Sequence, residues 1–260
     1  MPHRGHANRE GADQSVEDPS GGETPARDAA GPGAASGALA GLLDLGCSSQ
    51  SPAPFGCCDP CPEVHALNLV EETVDVGGLR LSILRPRQAE ALISEEAFEH
   101  EEFLPYWAEL WPSGVDLARV VRGRDVDGLR VLELGCGLGL PSIVAALGGA
   151  EVLATDWSPE GLEVAAANAA RNRAELETAL VSWSGPDRLV RAAPWDLVLG
   201  ADLLYERRNV DQLLELLPLL GNEVLLAEPG RPPAARFFEE VELDVTLLGE
   251  RVYRLTGPVP

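Results

Sequence analysis

The sequence contains no lysine: all 20 of its basic residues are arginine, against 42 acidic residues, for a net charge of -22. Because such an acidic chain repels phosphate backbones, we expect no nucleic-acid partner and a preference for basic ones. Histidine is also scarce. None of the four falls in a strand-like segment and no G-x-S-x-G motif occurs, which disfavours a serine or cysteine hydrolase. The histidines are His3, His6, His65 and His100.

Long apolar runs are absent too. No segment approaches the roughly 20 apolar residues that a membrane helix needs, so we expect no membrane partner. The amino terminus, with Arg4, Arg9, Glu10 and Asp13, lacks the apolar stretch of a secretory signal. We therefore expect a cytoplasmic protein. No sequence feature indicates the oligomeric state of the protein, and we favour a monomer.

Residues 1–62 have almost no aromatic or β-branched side chains. They are rich in Gly, Ala, Pro and Ser, so they bury too little surface to offset chain entropy, and we predict a disordered low-complexity tail. Four of the five cysteines lie near its end, in a spacing that fits no standard zinc motif. We predict reduced thiols and no metal, with a thiolate metal site as the alternative. These cysteines are Cys47, Cys57, Cys58 and Cys61.

Residues 63–124 are predicted to form an extension that precedes the main domain. The segment "LNLVEETVDVGGLRLSILRP" alternates apolar and polar residues around Gly77 and Gly78, which indicates a β-hairpin. An acidic stretch from Glu95 to Glu102 leads into an aromatic cluster, "YWAELW". A helix is expected from Gly114 to Arg122.

Residues 125–260 alternate between strand-like and helix-like segments. This alternation predicts an α/β fold with a doubly wound, mostly parallel sheet covered by helices on both faces. At the end of the chain, only Gly249 and Glu250 separate two strand-like runs, so the last strand should be antiparallel. Predicted strands cover 130–135, 151–156, 179–183, 195–201 and 223–228, and predicted helices 141–147, 158–173, 209–220 and 233–241.

The first strand of this region runs into a glycine loop, "VLELGCGLGLPS". In doubly wound folds the ligand binds at this strand-to-helix turn. A dinucleotide-binding loop would place its third glycine three residues after the second, but Gly139 follows Gly137 by two. Binding of NAD is therefore disfavoured. Cys136 lies inside the loop, where a small buried side chain is its expected role.

Asp156 closes the second predicted strand, 21 residues after Gly135. This spacing places a carboxylate where it can accept hydrogen bonds from two ribose hydroxyls. Taken with the glycine loop, it indicates an adenosine-type nucleoside as the ligand.

Three segments, "VLELGCGLGL", "LATDWS" and "DLVLGADLLY", resemble successive motifs of the class I, seven-strand S-adenosylmethionine methyltransferases. The similarity spans about Leu67 to Thr256. In addition, "PYWAELWPSG" and "DLLY" resemble a subgroup of protein lysine methyltransferases that includes the electron-transfer flavoprotein β-subunit lysine methyltransferase and its bacterial relatives. The resemblance implies S-adenosyl-L-methionine as cofactor and a protein lysine as methyl acceptor.

By position in these motifs, the resemblance also implies roles for individual residues. Asp202 would capture and orient the acceptor ammonium, and Tyr205 would accept a hydrogen bond or wall the amine channel. Ser182 stands where the family often has an acid, which leaves Trp183 as the contact near the adenine. The implied cofactor-binding residues are Trp111, Glu133, Gly135, Gly137, Gly139, Asp156, Trp157 and Trp183.

Two alternatives stay open. One is a small-molecule, nicotinamide-like N- or O-methyltransferase, although no Pro-Pro-Tyr follows Asp202 as it tends to in base and amide N-methyltransferases of this fold. The other is a non-catalytic cofactor-binding module whose amino-terminal tail binds a partner.

Overall fold

The computed structural model describes residues 67–92, 105–249 and 251–257. The predicted tail 1–62, its four cysteines and the acidic stretch Glu95 to Glu102 lie outside these residues. Across the described part of the chain, no helix is both long enough and apolar enough to cross a membrane.

The predicted hairpin is confirmed. Strand β1 (Leu69–Val76) pairs antiparallel with β2 (Leu79–Pro86), so that Val76 lies opposite Leu79. The two residues between the strands both have positive φ, 59° at Gly77 and 85° at Gly78. A two-residue turn of this kind matches the right-handed twist of its strands, which fixes the register.

The first helix, α1 (Pro112–Arg122), begins two residues before the predicted start at Gly114. Proline at the first helical position needs no hydrogen-bond donor there, and Trp111 directly before it is extended. A short 3-10 turn, Tyr106–Ala108, precedes this helix and carries part of the aromatic cluster.

A seven-strand sheet forms the centre of the molecule, as predicted. Its order is β5-β4-β3-β6-β7-β9-β8, and the first five strands in this order are parallel. Strand β9 pairs antiparallel with both β7 and β8, which confirms the predicted antiparallel last strand. The strands are β3 (Arg130–Leu134), β4 (Glu151–Asp156), β5 (Glu177–Leu180), β6 (Leu197–Ala201), β7 (Glu223–Ala227), β8 (Asp244–Leu247) and β9 (Val252–Thr256).

Helices connect the parallel strands. Strand β5 ends at Leu180 rather than at the predicted residue 183, so that Ser182 and Trp183 belong to the loop beyond it. The six-residue helix α4 (Asp187–Ala192) was not predicted, because its short sequence shows too little apolar periodicity. The helices are α2 (Leu140–Leu147), α3 (Pro159–Arg171), α4 (Asp187–Ala192), α5 (Arg207–Leu220) and α6 (Pro232–Glu240).

The hairpin docks on α3 through two asparagines. Asn172 accepts from the Ser82 N–H at 2.9 Å and donates to the Ser82 carbonyl at 2.8 Å, and Asn168 makes the same pair of bonds to Leu84, at 2.6 and 3.0 Å. Four residues of helix rise about 6 Å, close to the span of two residues of strand. The two amides therefore match the backbone spacing of β2 and make hydrogen bonds to the N–H and carbonyl groups along its edge.

Candidate active site

A cleft of about 630 Å³ opens where the parallel strands β3, β4 and β6 end. It brings together nine of the ten residues that the sequence predicted for the site, and Gly139 is the one that does not line it. The nine are Trp111, Glu133, Gly135, Gly137, Asp156, Trp157, Trp183, Asp202 and Tyr205.

The glycine loop forms the floor of the cleft with left-handed backbone, φ being 60° at Gly135 and 50° at Gly137. The space for a side chain at these two glycines is also limited. A β-carbon on Gly135 would lie 2.8 Å from the Leu203 side chain, and one on Gly137 would lie 3.2 Å from the Trp107 carbonyl oxygen. The left-handed conformation therefore favours glycine at both positions, and at Gly137 a β-carbon would also crowd fixed main chain. Both glycines line the cleft.

Gly139 has a different role in the structure. It is the left-handed N-cap of α2, with φ 80°, and a β-carbon there would lie 3.1 Å from the β-carbon of Ala165 on α3. Its missing side chain therefore allows the glycine loop to approach α3 closely.

Asp156, at the end of β4, is 5% exposed and holds the glycine loop to its own strand. Its Oδ2 accepts from the Gly137 N–H at 2.9 Å, and its Oδ1 from the Ser158 N–H at 3.0 Å. Burial raises the pKa of this carboxyl, against the effect of these backbone bonds. A third backbone bond comes from the Trp157 N–H. A carboxylate has about four acceptor sites, so Asp156 keeps spare acceptor capacity for a hydroxyl of a ligand in the cleft.

Glu133 lies deeper, on β3, and is 1% exposed. Its Oε2 accepts hydrogen bonds from the Ser142 N–H, at 2.9 Å, and from the Ser142 hydroxyl. Burial raises the pKa of Glu133 from 4.5 to about 8, although both bonds from Ser142 act to lower it. This acid thus ties β3 to the first turn of α2 beneath the cleft.

The three predicted tryptophans occupy different parts of the wall. Trp157 follows Asp156 and is 37% exposed, and the half-buried ring of Trp183 lies near Gly135. Trp111 lies before α1, where its indole N–H donates to the Tyr106 carbonyl at 2.8 Å.

Asp202 follows β6 with a left-handed backbone, φ 59°, and is 7% exposed. Its Oδ1 accepts a charge-assisted hydrogen bond from Arg231 Nε, and its Oδ2 lies 3.2 Å from the Ser113 hydroxyl, which donates to it. Non-glycine residues rarely adopt this backbone conformation, and aspartate tolerates it better than most. The strand end thus presents a carboxylate that is already hydrogen-bonded on both oxygens.

Arg231 and Ser113 were missed by the sequence analysis. Arg231 directly precedes α6, and its guanidinium lies 5.4 Å from the centre of the Trp111 ring. Glu228 shapes this loop, since its Oε1 accepts from the Gly230 and Arg231 N–H groups at 3.0 and 2.7 Å. Arg231 is a neighbour of Asp202 because β6 and β7 pair in the sheet, and nothing in the sequence indicates Ser113.

Tyr205 belongs to the turn between β6 and α5, and its ring lies 4.9 Å from that of Tyr106, measured between centroids. Burial raises the pKa of Tyr205 to about 12, so the phenol keeps its proton at neutral pH. It can therefore donate or accept a hydrogen bond but is not a base. Together with Trp111, these rings form an aromatic wall beside Asp202.

Comparison with known proteins agrees with this geometry. A profile described as "Lysine methyltransferase" matches residues 103–243, more than half of the chain. The chain belongs to this lysine methyltransferase family. The predicted resemblance to class I methyltransferases and to their lysine-modifying subgroup is thereby confirmed.

Two curated relatives of this lysine methyltransferase are named electron transfer flavoprotein beta subunit lysine methyltransferase. The Xenopus laevis protein is 34% identical over 182 residues, covering 66% of this chain and 71% of the relative. The Homo sapiens protein is 30% identical over 185 residues, covering 66% and 68%. Among solved structures, the T. Thermophilus 16S rRNA N2 G1207 methyltransferase shares the fold, with a TM-score of 0.52 at 14% identity over 73% of this chain and 51% of that one.

The cleft of this methyltransferase fits the cofactor that its family implies. Gly135 and Gly137 leave main chain uncovered where a β-carbon would meet neighbouring atoms, and Asp156 ends the adjacent strand with spare acceptor capacity. Glu133 supplies a buried carboxyl near the loop. Such a set of groups suits a ligand whose ribose hydroxyl donates to Asp156 while the rest of the molecule lies along the main chain of the glycine loop.

Proposed function

We propose that this protein transfers methyl groups from S-adenosylmethionine to a lysine side chain of a protein, with Asp202 and Tyr205 at the acceptor amine. The observation that carries the proposal is the position of Asp202, a carboxylate at the end of β6 that faces the cleft beside an aromatic wall. Membership of the lysine methyltransferase family supports the same acceptor.

In this proposal the two halves of the cleft have separate roles. Gly135, Gly137 and Asp156 hold the cofactor, with Glu133 toward its methionine half and Trp157 and Trp183 toward its adenine. When bound, S-adenosylmethionine would supply a methyl group activated by its sulfonium. The acceptor nitrogen would form the N–C bond as the C–S bond breaks, and the electron pair of the C–S bond would stay on sulfur.

The chain's own contribution to this reaction is alignment. Asp202 accepts a hydrogen bond from the amine and thereby directs the nitrogen lone pair, while Tyr106 and Tyr205 flank the aliphatic stem. Because the Tyr205 phenol keeps its proton, it is assigned to hydrogen bonding rather than to proton removal. The excess of acidic residues favours a basic surface on the protein substrate.

Transfer of tritiated methyl from the cofactor to a cell lysate tests the proposal. Purified electron-transfer flavoprotein β-subunit, the substrate in the names of the relatives, serves as a defined acceptor in parallel. Hydrolysis of the labelled protein should yield methyllysine. Since the enzyme has no lysine, label in its own band would reveal transfer to another residue type.

Two variants sharpen this test. Asp202→Asn should suppress transfer without weakening cofactor binding, whereas Asp187→Asn, at an exposed carboxylate on α4, should behave as the parent. Label confined to the metabolite fraction would instead identify a small-molecule methyltransferase. Cofactor binding without transfer to any acceptor would identify a non-catalytic module.

A further inference from the structure

The carboxylate assigned to the acceptor already has a cationic partner. Arg231 Nε donates to one oxygen of Asp202 and the Ser113 hydroxyl to the other, at 3.2 Å. The Asp202 side chain is 6% exposed, whereas that of Arg231 is 33% exposed and lines the cleft. Asp202 therefore has a cation against it before any acceptor arrives.

This pairing matters because methyl transfer needs a neutral amine. A lysine ammonium has an ordinary pKa of about 10.4, and a nearby carboxylate raises that value while a nearby cation lowers it. Each unit of increase leaves about tenfold less neutral amine at neutral pH. An unpaired Asp202 would bind the ammonium well and at the same time slow the reaction.

We infer that Arg231 is a positioning residue that cancels the charge of Asp202, so that this carboxylate orients the acceptor amine without holding it protonated. The inference rests on the proposed function, since it concerns a lysine amine. An ionised carboxylate has about four acceptor sites, of which Arg231 and Ser113 each use one. The acceptor releases its proton to solvent, and its nitrogen then forms the N–C bond as the C–S bond breaks.

The structure holds Arg231 firmly in this position. Glu228 accepts a hydrogen bond from its main-chain N–H at 2.7 Å, and the Trp111 ring lies 5.4 Å from its guanidinium. An arginine side chain keeps its charge throughout the accessible pH range. The positive charge beside Asp202 therefore persists at every pH at which the enzyme is assayed.

Other ionisable groups near this pair come from several elements. Tyr106 and Tyr205 stand on the cleft wall, and Glu228 lies behind the pair at the end of β7. Glu109 and Glu206 line the same cleft, and Glu206 pairs with Arg208 at 2.8 Å. Among these groups, Arg231 is the cation bound directly to Asp202.

Binding of a simple amine tests the inference without turnover. The probe is n-butylamine, an analogue of the lysine side chain, titrated calorimetrically at neutral pH into protein saturated with S-adenosylhomocysteine. Arg231→Met should bind the butylammonium ion about tenfold more tightly, since it removes a repelling charge at a separation of several ångströms. Arg231→Lys keeps the charge and should resemble the parent.

The pH dependence of turnover supplies the second measurement. On a peptide that the parent enzyme methylates, Arg231→Met should move the acidic limb of kcat upward by about one pH unit, and Arg231→Lys should largely restore it. Arg208→Met removes a charge from the same cleft at a residue that pairs with Glu206, so the acidic limb of this variant should stay in place. Equal affinity for S-adenosylhomocysteine in all variants shows that each is folded.

Two results would overturn the inference. An acidic limb that is unmoved in Arg231→Met, together with unchanged butylammonium binding, would show that the guanidinium does not govern the amine. A higher kcat for Arg231→Met at every pH would show that Arg231 obstructs the acceptor instead. Failure of the parent enzyme to form methyllysine on any protein would contradict the proposed function itself, and the butylamine titration distinguishes that case.

Discussion

Replacing Glu133 by glutamine should make the protein more stable, by an amount that grows as the pH rises from 4.5 to about 8. In this window the folded protein keeps on Glu133 a proton that the unfolded chain has released. The unfolded state therefore binds fewer protons, and the stability of the parent falls as the pH rises. Below 4.5 both states are protonated, and above about 8 both are ionised, so the difference is constant in each range.

The magnitude follows from the size of the shift. Each unit of pKa is worth about 1.4 kcal/mol, so the penalty carried by Glu133 at pH 8 amounts to roughly 4 to 5 kcal/mol. Glutamine avoids this penalty because its side chain does not ionise. Its amide oxygen can still accept hydrogen bonds from the Ser142 N–H and hydroxyl. The raised pKa of Glu228 affects both proteins alike. Asp156 and Glu133 interact through their charges, so the difference between the two proteins reports Glu133 together with this interaction.

Urea unfolding at pH values from about 5 to 9 measures this effect, with Glu239→Gln, at an exposed position on α6, as the control for loss of a carboxylate. The free-energy difference between Glu133→Gln and the parent should widen with pH and then level off. A difference that is the same at every pH would refute the reasoning, because it would mean that Glu133 has the same pKa in the folded and unfolded states.

Three further substitutions have definite expected outcomes. Asp156→Ala should weaken S-adenosylmethionine binding by about 1 to 3 kcal/mol, measured by calorimetry, and an unchanged affinity would remove its assigned ribose contact. Gly78→Ala, in open space, should show only the strain of a positive φ, about 1 to 2 kcal/mol, whereas Gly137→Ala should lose more stability and also lose cofactor affinity. Asn168→Ala should lower the free energy of unfolding by about 2 to 4 kcal/mol, since the buried Asn168 amide makes hydrogen bonds to three backbone groups. Asn222→Ala, at an exposed position, is the control. Equal melting temperatures for Asn168→Ala and the parent would contradict this role.

The fold followed from local signals. The Gly77–Gly78 turn, the alternation of strands and helices, and the short link before the last strand each constrain the chain over a few residues. Strand β5 was predicted with different ends, and helix α4 was not predicted. An edge strand of four residues and a helix of six carry too few buried positions to leave a periodic pattern.

The site was predicted only as far as its motifs reach along the chain. Asp156 and Asp202 could be placed because the first ends a recognisable strand and the second directly follows one. Arg231 is 29 residues beyond Asp202, and their contact depends on β6 and β7 being neighbours in the sheet. That adjacency depends on the order of strands in the sheet and not on a local sequence pattern. The sequence therefore did not reveal that the Arg231 guanidinium lies against Asp202.

Asn168 has a consequence for how the molecule can be divided. Its side-chain nitrogen donates both to Leu84 in the hairpin and to Leu138 in the glycine loop, at 3.0 Å each. A shortened protein that began after residue 124 would leave this amide with its loop contact and without its hairpin contacts. Attempts to trim the enzyme to a minimal nucleoside-binding fragment would thus begin by loosening the very turn the fragment is meant to preserve.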